Sequence, residues 1–272
     1  MTRAARPLFV LTILTGSFLL FLIQPMVARM ALPRLGGAPN VWNSAMLVYQ
    51  ALLLGGYYYA HRLSRLPLRR QAQIHLALFA LAALTLPVGL ANLPPARPGM
   101  EVLWVPALLA LSVGPVFFLV SAQAPLMQRW FAADARAGDP YYLYAASNLG
   151  SFAGLISYPA LVEPSMPLAT QSWLWTAGYG VLVLLVAASG AARWRGEAVH
   201  ETESVTAGES RPTLRRQIHW LLLAAVPSGL MLSTTTHLTT DIFAIPLLWV
   251  IPLGLYLLSF RSEERRVGKE CL

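Results

Sequence analysis

Cysteine and lysine are almost missing, with Cys271 and Lys269 the single examples of each in 272 residues. One thiol excludes an internal disulfide and any zinc or iron-sulfur site built on several cysteines. Charge is scarce as well. Charged residues make up 12% of the chain, against about 25% in an ordinary soluble domain, too few to coat a water-facing globule. The chain also lacks a Gly-rich nucleotide loop, a nucleophile with its base, and a set of metal ligands at a useful spacing, so no catalytic, cofactor-binding or metal-binding residue is assigned. What it has is hydrophobicity, at 56% of residues. Lipid must be the solvent for much of the surface, and the composition predicts an all-α, polytopic membrane helix bundle.

A bilayer core of about 30 Å takes roughly 20 apolar residues as a helix. Uncharged runs of that length occur at residues 8–28, 41–60, 73–93, 102–126, 141–162, 171–191, 218–237 and 242–260, which predicts about eight transmembrane helices. Pro227, Pro246 and Pro252 interrupt the last two. The first run follows Arg3 and Arg6 but is too long for a signal peptide and has no small-residue cleavage site, so it reads as a retained helix. Basic residues alternate between the two sides. Arg3, Arg6, Arg62, Arg65, Arg69, Arg70, Arg129, Arg136, Arg193, Arg195, Arg211, Arg215 and Arg216 fall on one side, together with the basic residues of the tail. The other side holds Arg29, Arg34 and Arg97. Because positive side chains resist translocation, the rich side is cytoplasmic, and this predicts a multi-pass protein of the cell inner membrane with both termini inside. The net charge of +8 is spread over separate loops rather than gathered into one stripe with stacking aromatics, which argues against a nucleic-acid partner. The polar stretch 193–217 reads as a cytoplasmic linker between a six-helix membrane bundle (1–192) and two further membrane helices (218–260). Six helices before a cytoplasmic loop is a transporter-like arrangement, although no internal repeat is evident along the chain.

Several phrases carry a family resemblance: Phe21-Leu22-Ile23-Gln24-Pro25-Met26, Leu35-Gly36-Gly37-Ala38-Pro39-Asn40-Val41-Trp42-Asn43, Ala124-Pro125-Leu126-Met127-Gln128-Arg129-Trp130-Phe131, Asp139-Pro140-Tyr141-Tyr142-Leu143-Tyr144-Ala145-Ala146-Ser147-Asn148-Leu149-Gly150-Ser151 and Leu238-Thr239-Thr240-Asp241-Ile242. Together they resemble the membrane region of a bacterial family in which a transporter-like helical bundle is fused to a spermidine-synthase-like domain. The resemblance implies a membrane module whose partner is a downstream synthase-like catalytic domain. That domain would need a doubly wound sheet and a nucleotide loop, and this chain contains neither. The alternative is a self-sufficient small-molecule transporter, whose solute the residues do not name. Gly150 and Gly154 form a Gly-x-x-x-Gly pair inside an apolar run, where small residues let another helix approach closely.

Polar side chains within the spans fall into two layers. Gln24, Arg29, Asn43, Glu163, His237 and Asp241 lie toward the outer ends of their spans or in outer loops. Ser121, Gln123, Gln128, Ser147, Asn148 and Ser151 lie in the cytoplasmic half. Two readings of the outer layer stay open. One is a periplasm-facing site in which Glu163 and Asp241 pair with Arg29 and present Gln24, Asn43 and His237 to a solute. The other is ordinary interface chemistry, with Asp241 capping the helix that follows. The inner layer reads as hydrogen bonding between helices or as part of a transport pathway.

Residues 261–272 break abruptly from the preceding composition and carry the only cysteine and lysine, which marks them as a non-native tail; the rival reading is a solvated cytoplasmic segment. The charge pattern predicts that reporter fusions at Arg70 and Gln217 report cytoplasm and those at Pro98 and Pro164 periplasm. The reverse pattern would end this topology.

Overall fold

In the computed structural model the described residues are 5–35, 39–95, 99–133, 141–194, 213–237 and 254–255. They form helices α1 (Ala5–Leu35), α2 (Pro39–Leu63), α3 (Leu68–Ala82), α4 (Glu101–Ala132), α5 (Tyr141–Ser157), the one-turn α6 (Glu163–Ser165), α7 (Leu168–Trp194) and α8 (Leu214–His237). A 3-10 turn, Ala83–Thr85, ends α3, and a π turn, Tyr158–Val162, joins α5 to α6. No strand occurs among the described residues.

Among the described residues, four helices are long and apolar enough to cross a membrane: Arg6–Leu35, Leu103–Ala132, Leu168–Arg193 and Leu214–Thr235. The expectation of eight spans is therefore met only in part. α2 is 25 residues long, but Asn43, Gln50 and three consecutive tyrosines dilute its apolar run. α3 stops after 15 residues, roughly 22 Å, where a helix to residue 93 was expected. The cause is Pro87, which pushes the residue before it out of the helical region; Leu86 sits at φ −94° and ψ 152°. α5 is 17 residues of α-helix before Pro159 shifts it into the π turn. The expected span 242–260, like the linker and the tail, lies outside the described residues except for Gly254 and Leu255.

Beyond the 3-10 turn the backbone to residue 95 is non-helical, and side chains from three helices hydrogen-bond to it. Ser112 on α4 accepts from Ala91 N at 2.9 Å, Ser172 on α7 donates to Val88 O, and Arg34 on α1 donates to Ala91 O at 3.3 Å. Non-helical backbone at membrane depth persists only where protein or trapped water satisfies it, and here the protein does so.

These contacts fix which helix ends lie together. Phe9 near the start of α1 meets Phe131 at the end of α4, edge to face at 5.6 Å, and Phe131 meets Tyr142 at the start of α5. Thr12 Oγ1 lies 3.2 Å from Ser189 Oγ near the end of α7. The end of α1, the segment after α3 and the start of α7 share the opposite end. α1 and α4 are thus antiparallel, as are α3 and α7.

This arrangement reveals an internal repeat that the sequence did not show. Shifting by 100 residues takes Leu19, Pro25 and Arg29 of α1 to Leu119, Pro125 and Arg129 of α4, and Pro67, Leu68 and Gln71 at the start of α3 to Pro167, Leu168 and Gln171 at the start of α7. The packing repeats too. Thr12 bonds back to Leu8 O and Ser112 to Leu108 O, both at 2.6 Å. Gln71 Nε2 donates to Leu66 O at 2.7 Å and Gln171 Nε2 to Met166 O at 2.9 Å. Gly56 of α2 lies under the carbonyl of Phe118, and Gly154 of α5 lies under that of Phe18. Helices α1–α2–α3 and α4–α5–α7 are therefore two three-helix units of opposite direction. Phe79 and its counterpart Tyr179 touch, with ring centroids 5.2 Å apart and Tyr179 donating to Phe79 O at 2.9 Å, so the pseudo-two-fold axis runs between them. Matching identities are few because the common constraint is which face is buried, and many apolar side chains satisfy it.

Gly150 and Gly154 set the tightest helix pair. A Cβ on either would collide with the carbonyl of Leu14 or Phe18 and stand 3.1 Å from the corresponding Cα. Gly180, by contrast, has nothing within 4 Å of where its Cβ would be. Gly154→Ala is expected to destabilise the fold by about 1–3 kcal/mol, while Gly180→Ala leaves it unchanged or slightly firmer. Thermal unfolding of the purified variants in detergent checks both.

Candidate functional site

The end where α1 finishes and α7 begins, expected to face outward, gathers the polar side chains of most interest. Pro159 within the π turn that follows α5 and Pro164 just after it lie on either side of Glu163 and lead it to this end. Arg29 Nε lies 3.2 Å from Glu163 Oε1, with side-chain exposures of 48% and 26%, so the expected reach between Arg29 and one of the two carboxylates is present. Tyr158, one turn earlier, is fully buried, and its hydroxyl has no hydrogen-bond partner among the described residues. Gln171, 4% exposed, spends its Nε2 on Met166 O and, at 3.5 Å, on Val162 O, which leaves its Oε1 without a described partner.

The repeat explains that vacancy. In the other unit Gln71 Oε1 accepts from Trp130 Nε1 at 2.9 Å. The residue equivalent to Trp130 is Met30, whose thioether has no N–H to give. Gln71 is a completed amide, and Gln171 lacks the equivalent indole partner.

Of the other expected outer residues, Gln24 turns away from this pair. Gln24 is buried, and its Nε2 turns onto Leu20 O of its own helix at 3.2 Å. Its backbone carbonyl accepts from Tyr49 at 3.4 Å. His237 is exposed at the end of α8, a helix whose described side chains are mostly exposed. Asp241 and the side chain of Asn43 lie outside the described residues. Among the described residues no group of three or more His, Cys, Asp or Glu forms.

In the layer expected on the inner side, Ser147 and Gln123 join helices. Ser17 and Ser147 share a hydrogen bond of 2.9 Å between α1 and α5, Gln123 Nε2 on α4 donates to Thr12 O on α1 at 3.1 Å, and Ser121 bonds to Phe118 O within its own helix. Gln123 Oε1 is buried against Gly16, where any Cβ would strike it. Sequence reading missed His75, Tyr158 and Gln171. A single buried polar residue on an amphipathic face carries no local signal, and only the comparison of the two units makes these positions stand out.

No protein family, curated protein or solved structure matches this chain.

Because both partners of the Arg29–Glu163 pair are partly exposed, a double-mutant cycle with Arg29→Ala and Glu163→Gln should give a coupling of no more than about 1 kcal/mol. Trp130→Phe should be worse, at about 1–3 kcal/mol, because it leaves the buried Gln71 acceptor unpaired. Unfolding of the three variants and the double mutant in detergent measures both quantities.

Proposed function

We propose that this chain is the transporter-like membrane module, of about eight spans, of a protein in the fused transporter-like and spermidine-synthase-like family. It sits in the bacterial inner membrane with both termini cytoplasmic, and it holds or feeds a synthase-like catalytic domain that is not among these residues. The family reading rests on the sequence phrases that run from Phe21 to Ile242. The transporter-like architecture draws its support from the pair of inverted three-helix units, since secondary transporters are commonly built from such repeats with their sites at the repeat interface. In this reading α8 and residues 242–260 supply the last two spans.

The inverted units also favour the second reading, a self-sufficient carrier of a small solute, because a mere anchor has no use for a two-fold seam. The two readings separate at the locus. Sequencing through the region after Phe260 should reveal an in-frame synthase-like domain, and a verified stop codon directly after Leu272 would sink the module reading and leave the carrier. Reconstitution gives the independent check on the carrier: solute-dependent protection from proteolysis is expected for it and not for an anchor.

A further inference from the structure

The seam between the two units is lined by an aromatic array in which one member differs in kind. His75 and Phe79 on α3 correspond to Trp175 and Tyr179 on α7. Along the seam, His75 meets Phe79 at 4.6 Å, Phe79 meets Tyr179 at 5.2 Å, and Tyr179 stacks on Trp175 at 5.7 Å. Trp175 completes its position, since its Nε1 donates to Leu19 O at 3.0 Å. His75 does not. Its Nδ1 lies 3.3 Å from the hydroxyl of Tyr59, its ring stacks on that tyrosine, and its Nε2 is buried with no partner among the described residues. An indole fills the equivalent place, so packing the seam does not require an imidazole.

We propose that His75 is a proton-binding site at the repeat interface, and that taking up a proton opens the seam between α3 and α7. The proposal rests on the transporter-like reading of the two units. A proton is the ligand that needs no cavity, which suits a seam as closely packed as this one. Among the described residues, the titratable groups facing the array are Tyr59 from α2 and, through Phe79, Tyr179 from α7; α4 presents the neutral Phe118 to Tyr59. On α7, Gly190 lies against Ala72, one turn from His75, and Arg193 follows at the inner end. None of these groups is a carboxylate that would hold an imidazolium in place. A charged ring in this aromatic surround therefore has to be met by water or by rearrangement of the seam, which couples proton uptake to opening. An imidazole takes up a proton in the physiological range only where water reaches it, so uptake by His75 and opening of the seam are one step.

Hydrogen–deuterium exchange of the full chain in lipid nanodiscs, at about pH 8 and about pH 5 on either side of the ordinary imidazole range, tests this after correction for the intrinsic exchange rate. Peptides from α3 and α7 should exchange several-fold faster in acid for the native chain. The difference should vanish in His75→Gln, and in His75→Phe as a second variant should the first fold poorly. Acid-independent exchange in the native chain, or an acid response that survives both substitutions, overturns the proposal. The outcome is separable from the transport reading. A seam that opens with acid in a protein that moves no solute keeps His75 and removes the carrier, whereas solute movement without acid-dependent opening does the reverse.

Discussion

Within a bilayer, lipid tails are as apolar as leucine, so helices gain little by burying leucine against leucine, and close approach of backbones has to hold the bundle together. Here two equivalent contacts provide it. Gly154 lets α5 settle onto the carbonyl of Phe18 on α1, and Gly56 lets α2 settle onto the carbonyl of Phe118 on α4. Each contact joins a helix of one unit to a helix of the other. The two units are consequently interleaved rather than placed side by side; α1 also meets α4 and α7, and the seam between α3 and α7 is where they meet near the axis.

With the frame set by small residues, the buried polar side chains take their meaning from the symmetry. Thr12 with Ser112, and Gln71 with Gln171, perform the same local bonding twice and are structural. Departures from symmetry are more informative. Met30 in place of a tryptophan leaves Gln171 Oε1 open beside the turn that carries Glu163, and His75 in place of a tryptophan puts a titratable ring in the seam. Both departures lie where the packing of the other unit shows what a completed, inert arrangement looks like.

Much of the frame was legible along the chain. The long uncharged runs locate α1, α4, α7 and α8, because hydropathy acts over a whole helix and survives any choice among apolar side chains. The Gly150 and Gly154 pair and the reach between Arg29 and Glu163 were also readable, the first from spacing and the second from unlike charges at matching depth. The early end of α3 was not, because a run of apolar residues through Pro87 looks like a span until the restriction on Leu86 is weighed. The repeat escaped notice for a different reason. Its two halves run in opposite directions through the membrane and share burial pattern far more than identity, as Ile13 with Val113 and Phe9 with Leu109 illustrate.

The opposed direction of the two units carries the whole account, and paired cysteines test it most directly. In a background with Cys271→Ser, the pairs Thr12→Cys with Ser189→Cys and Ala91→Cys with Ser112→Cys are made separately, at places where the native atoms lie 3.2 Å and 2.9 Å apart at opposite ends of the bundle. The account predicts that both pairs form disulfides in native membranes, the first protected from impermeant reductant on one side and the second on the other. Protection of both from the same side would contradict it.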